Sequence, residues 1–444
     1  MKMTKRVVVA LAMVAALSGC GIFRSKGEHR PKTAVVGERI PVLTSEGDAA
    51  VEPSLADVAV TVPDAAPNDT WSQTGGNSTK VMGNPALGAT IKPAWDVKIP
   101  AGGPRERLAA GPVVADGKLY VVDAEAVVRA FDAATGRKLW EVAPDATKRE
   151  KPVLFGGGVS VDNGRVFATN GRGDVIALDA ATGKQIWKAR PSGPLRGAPG
   201  FGNGNIFVLT QDNQIIALSE EKGEVVWTVS ATLQTAGVFG VAAPSYAQGT
   251  VVAGFSSGEL SALRYENGRI VWQDQLSRTS ISTSVSTISD VDAAPVLDQG
   301  KVYAIGQGGR MVAMDLVSGQ RLWEITIGGI DTPWLAGEWL FVVTDDARLL
   351  CIARTTGKIR WITQLTHFRD PKTKNKAVGW SGPILAGGRL VLVNTLGEMV
   401  QVKVADGKVM STQRKAGKGF YLSPIVANNT LYTLDQKGKL TAWR

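Results

Sequence analysis

Short apolar, β-branched segments alternate with turn residues along most of this chain. One complete unit spans residues 156–187 and contains four such segments, at 158–161, 165–168, 174–178 and 184–187. Asn-Gly and Thr-Gly pairs in the intervening turns can supply the positive φ angles that tight hairpins need. No stretch longer than two turns carries a helical period. The pattern therefore predicts four antiparallel strands per unit and no substantial helix.

The unit repeats, and a tryptophan marks each copy. The phrase Asp-Ala-Ala-Thr-Gly precedes a tryptophan at 132–140 and again at 179–187. Equivalent tryptophans recur at intervals of 38–51 residues: Trp95, Trp140, Trp187, Trp227, Trp272, Trp323 and Trp361. Ser411 holds the eighth place. A four-stranded unit repeated with a period of about 40–50 residues predicts a β-propeller.

A second repeated motif divides the chain into the same units. A small residue followed by proline opens most units, as in Gly111-Pro112, Ala198-Pro199 and Ala294-Pro295. The chain ends are complementary, because 439–443 has the pattern of a third strand and 94–97 that of a fourth strand. Pairing these two would complete a blade and remove an open sheet edge.

We therefore predict an all-β, eight-bladed β-propeller of four-stranded antiparallel blades over residues 69–444, with the ring closed by the N-terminal strand. Seven blades is the alternative if Trp95 lies outside the ring. The repeated tryptophans are expected to wedge between neighbouring blades, where each would bury about 150–250 Å². Trp71 lies outside their register and receives no predicted role.

The first 19 residues have the pattern of a signal peptide. Lys2, Lys5 and Arg6 precede an apolar segment at 7–17 that is too short to span a bilayer as a mature helix. The following Leu-Ser-Gly-Cys resembles the lipobox of bacterial lipoproteins, which implies cleavage after Gly19 and lipidation of Cys20. A plain secretory peptide with a chance cysteine is the alternative. No aspartate follows Cys20, which by the sorting rule of such lipoproteins favours the outer membrane.

Residues 20–68 are predicted to be a lipidated N-terminus and a flexible tether. The segment contains five prolines, few aromatic residues and scattered charges, which is typical of chains that do not form a core. Such a segment would let the folded part stand away from the membrane surface.

Composition excludes several kinds of site. The chain has 2 cysteines and 2 histidines, so metal sites built on these residues are not expected. The net charge of +10 is spread without a basic helix or interleaved aromatics, so nucleic acid is not an expected partner. The basic segment 369–376 is interpreted as a solvated loop, with a lipid-binding patch as the alternative.

The repeated phrase Ala-Leu-Asp-Ala-x-Thr-Gly-Lys-x-x-Trp resembles the tryptophan-docking repeat of pyrroloquinoline quinone dehydrogenases. That resemblance implies an eight-bladed propeller. The activity would also need an adjacent cysteine pair, calcium ligands and a catalytic aspartate. The chain has no Cys-Cys pair, and no carboxylate cluster is expected at one central point. A quinoprotein oxidoreductase therefore remains only an alternative hypothesis, and no cofactor is predicted.

Lipobox, tether and eight units together resemble the BamB family of lipoproteins in the outer-membrane β-barrel assembly machinery. Two segments add to the resemblance, Pro-Leu-Arg-Gly at 194–197 and Ser-Asp-Val-Asp at 289–292. In that family these segments lie near each other on one face and contact a periplasmic domain of the barrel subunit BamA. The resemblance carries over to Leu195, Arg196, Asp290 and Asp292. Gly193 departs from it, since an apolar residue is expected there.

Two roles are open for the aspartates. Asp290 and Asp292 could hold Arg196 in position, or they could pair with a cation of the partner. The alternative is a solvated loop. The resemblance implies a non-enzymatic scaffold on the periplasmic side of the outer membrane that binds BamA and unfolded barrel proteins. An adhesive or sugar-binding propeller is a third hypothesis, and it would require exposed aromatics clustered on one face.

Overall fold

β-Strands account for nearly all regular structure in the computed structural model. The structure describes residues 49–103, 107–147, 149–150, 153–233, 243–276, 290–307 and 309–444. These belong to one unit, Ser45–Arg444. The predicted signal peptide, Cys20 and the first part of the predicted tether lie outside the described residues. Within the described ranges, no helix has the length and apolar character needed to cross a membrane.

The first four blades each consist of four consecutive strands. Blade 1 contains β2 (Val113–Ala115), β3 (Lys118–Val122), β4 (Val128–Asp132) and β5 (Lys138–Val142). Blade 2 contains β6 (Val159–Asp162), β7 (Arg165–Thr169), β8 (Val175–Asp179) and β9 (Gln185–Ala189). Blade 3 contains β10 (Leu195–Gly202), β11 (Asn205–Thr210), β12 (Gln214–Ser219) and β13 (Val225–Ser230). Blade 4 contains β14 (Ser245–Ala247), β15 (Thr250–Gly254), β16 (Glu259–Arg264) and β17 (Ile270–Gln275).

The next three blades follow the same order, with one inserted hairpin. Blade 5 contains β18 (Val296–Asp298), β19 (Lys301–Gly306), β20 (Arg310–Asp315) and β21 (Arg321–Ile325). Blade 6 contains β22 (Trp334–Ala336), β23 (Trp339–Val343), β24 (Arg348–Ala353) and β25 (Ile359–Gln364). The hairpin consists of β26 (Phe368–Asp370) and β27 (Asn375–Ala377), and it carries the basic segment 369–376 on an exposed surface. Blade 7 contains β28 (Trp380–Ala386), β29 (Arg389–Asn394), β30 (Met399–Lys403) and β31 (Val409–Gln413).

Blade 8 joins the two ends of the repeat region. It contains β32 (Ile425–Ala427), β33 (Thr430–Leu434), β34 (Lys439–Trp443) and β1 (Pro93–Lys98). Strands β1 and β34 pair antiparallel, with Trp95 opposite Ala442 and Val97 opposite Leu440. The predicted fold class, the eight blades and closure by the N-terminal strand are confirmed.

Each inner hairpin turns at residues that accept a positive φ. The φ angles are 46° at Asn163 and 71° at Gly164. In the next blade they are 51° at Asn203 and 78° at Gly204. These values correspond to the type I′ turns whose twist matches that of the flanking strands. The strands of these hairpins are buried on both faces, since blades pack on either side of each sheet.

The junction between blades repeats one arrangement. An indole nitrogen on the outer strand of one blade donates to a carbonyl in the third turn of the next blade. The seven donor and acceptor pairs are Trp95 to Ala133, Trp140 to Ala180, Trp187 to Glu220, Trp227 to Tyr265, Trp272 to Leu316, Trp323 to Arg354 and Trp361 to Val404, at 2.7–3.3 Å. A chain of indoles thus links the blades around the ring.

A glycine in the same turn lies against each indole. Gly183 has a φ of +75°, and a Cβ atom at this position would lie 2.8 Å from the ring of Trp140. Gly223 is placed in the same way against Trp187, at 2.5 Å. The Thr-Gly pair of the repeated phrase therefore provides both the turn and the space for the indole of the preceding blade.

The segment before β1 crosses the propeller. Val51 bridges Ile359 of β25, and a short 3₁₀ turn follows at Pro53–Leu55. The Val58 carbonyl accepts from Arg360 Nε at 2.8 Å. We expected a flexible tether up to residue 68, but residues 49–68 make these defined contacts. Their scattered apolar residues, including Val60 and Val62, pack against the main core cluster.

Residues 66–92, here called the strap, continue across the end of the ring where the inner hairpins turn. Backbone groups of the strap bond to inner strands around the ring, including Val114 of blade 1, Val161 of blade 2, Tyr246 of blade 4 and Leu297 of blade 5. Trp71 pairs with Val114 and is 3% exposed, so the tryptophan that had no predicted role anchors the strap.

We predict that Gly183→Ala destabilises the protein more than Gly164→Ala does. Both glycines belong to blade 2 and have nearly equal positive φ angles, but only Gly183 contacts an indole, while nothing lies within 4 Å of a Cβ at Gly164. The control, Gly164→Ala, should lower the free energy of unfolding by about 1 kcal/mol because of backbone strain. Gly183→Ala should cost about 1–3 kcal/mol more, because Trp140 must shift.

The measurement is chemical denaturation followed by tryptophan fluorescence. Equal losses in the two variants would show that the indole–glycine contact contributes nothing beyond the turn.

Candidate partner-binding site

The segment 194–197 enters the ring at the inner strand of blade 3. Leu195 and Arg196 are the first residues of β10, whose pairing with β11 is interrupted by a bulge between Arg196 and Gly200. Because successive side chains of a strand point to opposite sides, the two side chains separate. Leu195 is fully buried in a cluster with Phe167 and Val175 of blade 2.

The second segment lies in the connection from blade 4 to blade 5. The Asp290 carbonyl accepts from Gln307 N at 2.9 Å, and Val291 N donates to Phe255 O at 3.1 Å. These bonds tie the connection to both blades and fix where the two carboxylates point.

The structure brings Arg196, Asp290 and Asp292 together, although 94 residues separate the first two. Arg196 Nη2 donates to Asp290 Oδ1 at 3.0 Å and Oδ2 at 3.1 Å, and to Asp292 Oδ1 at 2.9 Å. The three side chains are 9%, 0% and 3% exposed, respectively. Of the two roles considered for the aspartates, holding Arg196 in position is the one that this geometry provides.

Two carboxylates beside one guanidinium give the cluster an excess of negative charge. Burial, and then the neighbouring Asp290, raise the pKa of Asp292 well above its usual range, and Arg196 only partly offsets this. The cluster therefore holds a proton more readily than exposed aspartates do.

Further acidic residues lie at the same end of the ring, contrary to the expectation that no carboxylates gather there. Burial raises the pKa of Asp331 to about 7, and its Oδ1 accepts from Ser423 Oγ at 2.9 Å and Gly382 N at 3.3 Å. Burial also raises the pKa of Asp345 to about 6. The described residues nevertheless contain no group of acidic, histidine or cysteine side chains that could hold a metal ion.

The sequence contained a signal for this gathering. Asp292 and Asp331 stand three and two residues before the marker prolines Pro295 and Pro333. Strand direction alternates within each blade, so all connections that lead into an inner strand lie at one end of the ring. We call this end the connection face.

Exposed apolar side chains also occur on the connection face. Leu233, where the chain leaves blade 3, is 68% exposed, and Tyr421 in the connection from blade 7 to blade 8 is 46% exposed. Val153, Ile330 and Leu396 on this face are 38–51% exposed. Residues of this type in an ordered, partly charged rim are common at protein interfaces.

A family model described as outer membrane protein assembly factor BamB matches residues 86–154 and 124–363, which together span more than half of the chain. The chain belongs to the BamB family. That family consists of outer membrane protein assembly factors rather than enzymes.

Individual relatives agree with the family model. The BamB of Burkholderia pseudomallei is 30% identical over 362 residues, which cover 80% of this chain and 88% of the relative. The crystal structure of BamB from Moraxella catarrhalis aligns with a TM-score of 0.68 at 19% identity, covering 80% of this chain and 100% of that chain.

The fold is shared more widely. A europium-containing methanol dehydrogenase also aligns with a TM-score of 0.68, at 15% identity, over 84% of this chain and 98% of that chain. At this identity the likeness shows the fold alone.

We predict that Arg196→Met destabilises the protein by about 3–5 kcal/mol near pH 9.5, because two buried carboxylates lose their cation. The loss should be smaller near pH 6, which lies below the pKa of about 8 that Asp292 has in the wild type. Without the guanidinium, the pKa of Asp292 rises further above its unfolded value, so the folded state gains a proton at low pH and loses that stabilisation as pH rises. Denaturant unfolding at both pH values measures the difference.

Arg190→Met is the matched control. Arg190 pairs with the buried Asp174 but is 49% exposed, and Asp174 keeps bonds from Asn170 and Arg172. We expect a loss below about 1 kcal/mol with little pH dependence. A pH-independent loss in Arg196→Met would contradict the assigned electrostatics.

Proposed function

We propose that this chain is a lipid-anchored, non-enzymatic scaffold of the outer-membrane β-barrel assembly machinery, and that its connection face binds the periplasmic part of BamA. Unfolded outer membrane proteins are the proposed substrates of the assembled machinery. The observation that carries the proposal is the Arg196–Asp290–Asp292 cluster, which joins the two segments that resemble the BamA-binding segments of the family.

The four residues carried over from the family have an indirect role in this proposal. Leu195, Asp290 and Asp292 are buried and the side chain of Arg196 is only 9% exposed, so the four side chains offer little surface to a partner. They hold the edge of blade 3 against the connection from blade 4 to blade 5. The exposed groups of blade 3 on the connection face, Pro194 and Leu233, then provide the contact.

Leu233 is well placed to be an anchor. Thr232 N and Oγ1 donate to the Glu259 carboxylate at 2.8 and 2.9 Å, and Asn213 Nδ2 donates to the Thr232 carbonyl at 2.7 Å. The backbone before Leu233 is thus fixed to blades 3 and 4 while the side chain faces solvent. Exposed apolar side chains on a fixed backbone lose little entropy when they bind.

The quinoprotein alternative has less support. The fold is shared with dehydrogenases, but the chain has no adjacent cysteines, and the family model that matches it describes an assembly factor.

We predict that Leu233→Glu lowers recovery of a BamA-like barrel subunit about tenfold or more when the protein is affinity-purified from membranes, since a desolvated apolar anchor contributes at least about 1.4 kcal/mol. The matched control is Val317→Glu. Val317 is equally exposed, at 69% against 68%, but lies in the turn between β20 and β21 at the opposite end of the ring.

Neither substitution should change the melting temperature, because both side chains are exposed. Equal recovery from both variants would move the binding surface away from Leu233. If wild type recovers no barrel subunit, the proposed partner is wrong.

We also predict that Cys20→Ser shifts the protein from the membrane fraction to the soluble periplasmic fraction, because the lipid chains provide the proposed anchor. Fractionation after osmotic lysis measures this. The control is Cys351→Ser, since Cys351 is buried in β24 and should not affect localisation. Unchanged membrane association of Cys20→Ser after washing with salt would contradict a lipid anchor.

A further inference from the structure

A cavity of about 170 Å³ is lined by the strap and by residues that lead into the inner strands of blades 1, 5, 6 and 8. Because the inner strands surround the axis of a propeller, we call it the central cavity. Ile330 and Tyr421, which are 42% and 46% exposed, also line it, so the cavity opens toward the connection face. The strap lies across the opposite end. A dry apolar cavity of about this size accommodates benzene, so this cavity has room for a small organic molecule.

The strap places a lysine in the cavity wall. Lys80 is 2% exposed, and its ammonium donates to Gln73 Oε1 at 3.2 Å. An ammonium group has three donors, so this bond leaves donor capacity. Burial lowers the pKa of Lys80 to about 7, and no neighbouring carboxylate in the described part of the chain offsets this. Maintaining a buried amine without a counter-ion is costly unless another group supplies the charge.

The same cavity is lined by acidic groups. Asp292 contributes Oδ2, a buried oxygen that has no N–H or hydroxyl donor among the described residues, although Asp292 can share a proton with the carboxyl group of Asp290. Asp331 contributes a carboxyl group whose two bonds both reach Oδ1. Among the ion pairs of the described ranges, none joins Lys80 to either aspartate. The basic group and the acidic groups therefore lie in one cavity without forming an ion pair with each other.

Aromatic rings form an apolar part of the wall. Trp71 of the strap and Trp334 of β22 stack with ring centroids 6.0 Å apart and an angle of 21° between their planes. Trp334 Nε1 donates to the Gly83 carbonyl at 2.9 Å, which fixes this ring against the strap. A ligand that reaches both charged regions would therefore pass an ordered apolar surface.

We propose that the central cavity binds a small zwitterion of the amino-acid class. The carboxylate of the ligand bonds to the Lys80 ammonium. Its ammonium group bonds to Asp331 and to Oδ2 of Asp292, and its side chain lies toward the two tryptophans. Each end of such a ligand supplies the oppositely charged partner that the corresponding protein group lacks.

The experiment measures binding to the mature, folded protein. The standard L-amino acids are screened one at a time by the shift in melting temperature, and those that raise it are titrated by calorimetry. We expect saturable binding of at least one of them. Lys80→Met and Asp331→Asn should each weaken that binding about tenfold or more, because each removes a charge-assisted hydrogen bond.

Lys408→Met is the control, since its side chain is 82% exposed on an outer turn of blade 7. It should bind the ligand like wild type. Asp331→Asn keeps the side-chain shape and provides an independent test if Lys80→Met fails to fold. Both variants are checked by circular dichroism.

Three results would overturn the proposal. These are no saturable binding to wild type, binding that neither cavity substitution weakens, and binding of acetate or inorganic phosphate that is as tight as that of any amino acid. The last would show a simple anion site at Lys80. Recovery of the barrel subunit does not enter this test, so the two proposals succeed or fail separately.

Discussion

The ring depends on the contact between an indole and the glycine turn of the next blade. Each blade alone is a four-stranded sheet with two apolar faces, so it is stable only when both faces are covered. The indole buries about 150–250 Å² at the junction, which corresponds to about 4–6 kcal/mol at about 25 cal/mol per Å². Its N–H donor is satisfied by the turn carbonyl, as for Trp227 and Tyr265 at 2.7 Å. The tryptophan and the turn glycine therefore determine both how neighbouring blades are placed and how much their packing stabilises the ring.

The eighth junction shows why Ser411 replaces the tryptophan there. Blade 8 has no turn between its third and fourth strands, because these strands are the two ends of the repeat region. No turn glycine exists to receive an indole. The strap approaches blade 7 instead, where Gly387 N donates to Pro85 O at 2.8 Å and Arg389 Nη2 donates to the Gly88 carbonyl. Leu87 and Ile91 of the strap are buried in the cluster that contains both blades. The N-terminal part of the chain therefore has two structural roles. Strand β1 closes the ring, and the strap before it covers one end of the ring and packs where the tryptophan contact is missing.

The periodic features could be predicted from the sequence, and the non-periodic ones could not. The register of Trp95 and the complementary patterns at 94–97 and 439–443 were sufficient to place β1 beside β34, because strand pattern is local and the repeat fixes the phase. The strap has no period. Its prolines are typical of a tether, and its backbone hydrogen bonds are isolated contacts with distant strands, such as the two bonds between Trp71 and Val114. Nothing near Trp71 in the sequence indicates those partners.

The resemblance grouped the residues of the candidate site, but it did not indicate that they are buried. Family resemblance paired the segment of Arg196 with that of Asp290 and Asp292, and the structure brings these three side chains into contact. Their solvent exposure depends on how the connections pack over the inner strands, which a motif does not encode. The same packing brings Asp331 and Asp345 inward.

Every connection into an inner strand lies at one end of a propeller, and the inner strands surround its axis. Charged side chains in these connections therefore lie close to the axis. The connection face consequently combines a rim with exposed Leu233 and Val153 and a polar interior around Asp292. A partner can occupy the rim and a small ligand the interior, because the two use different residues of one face.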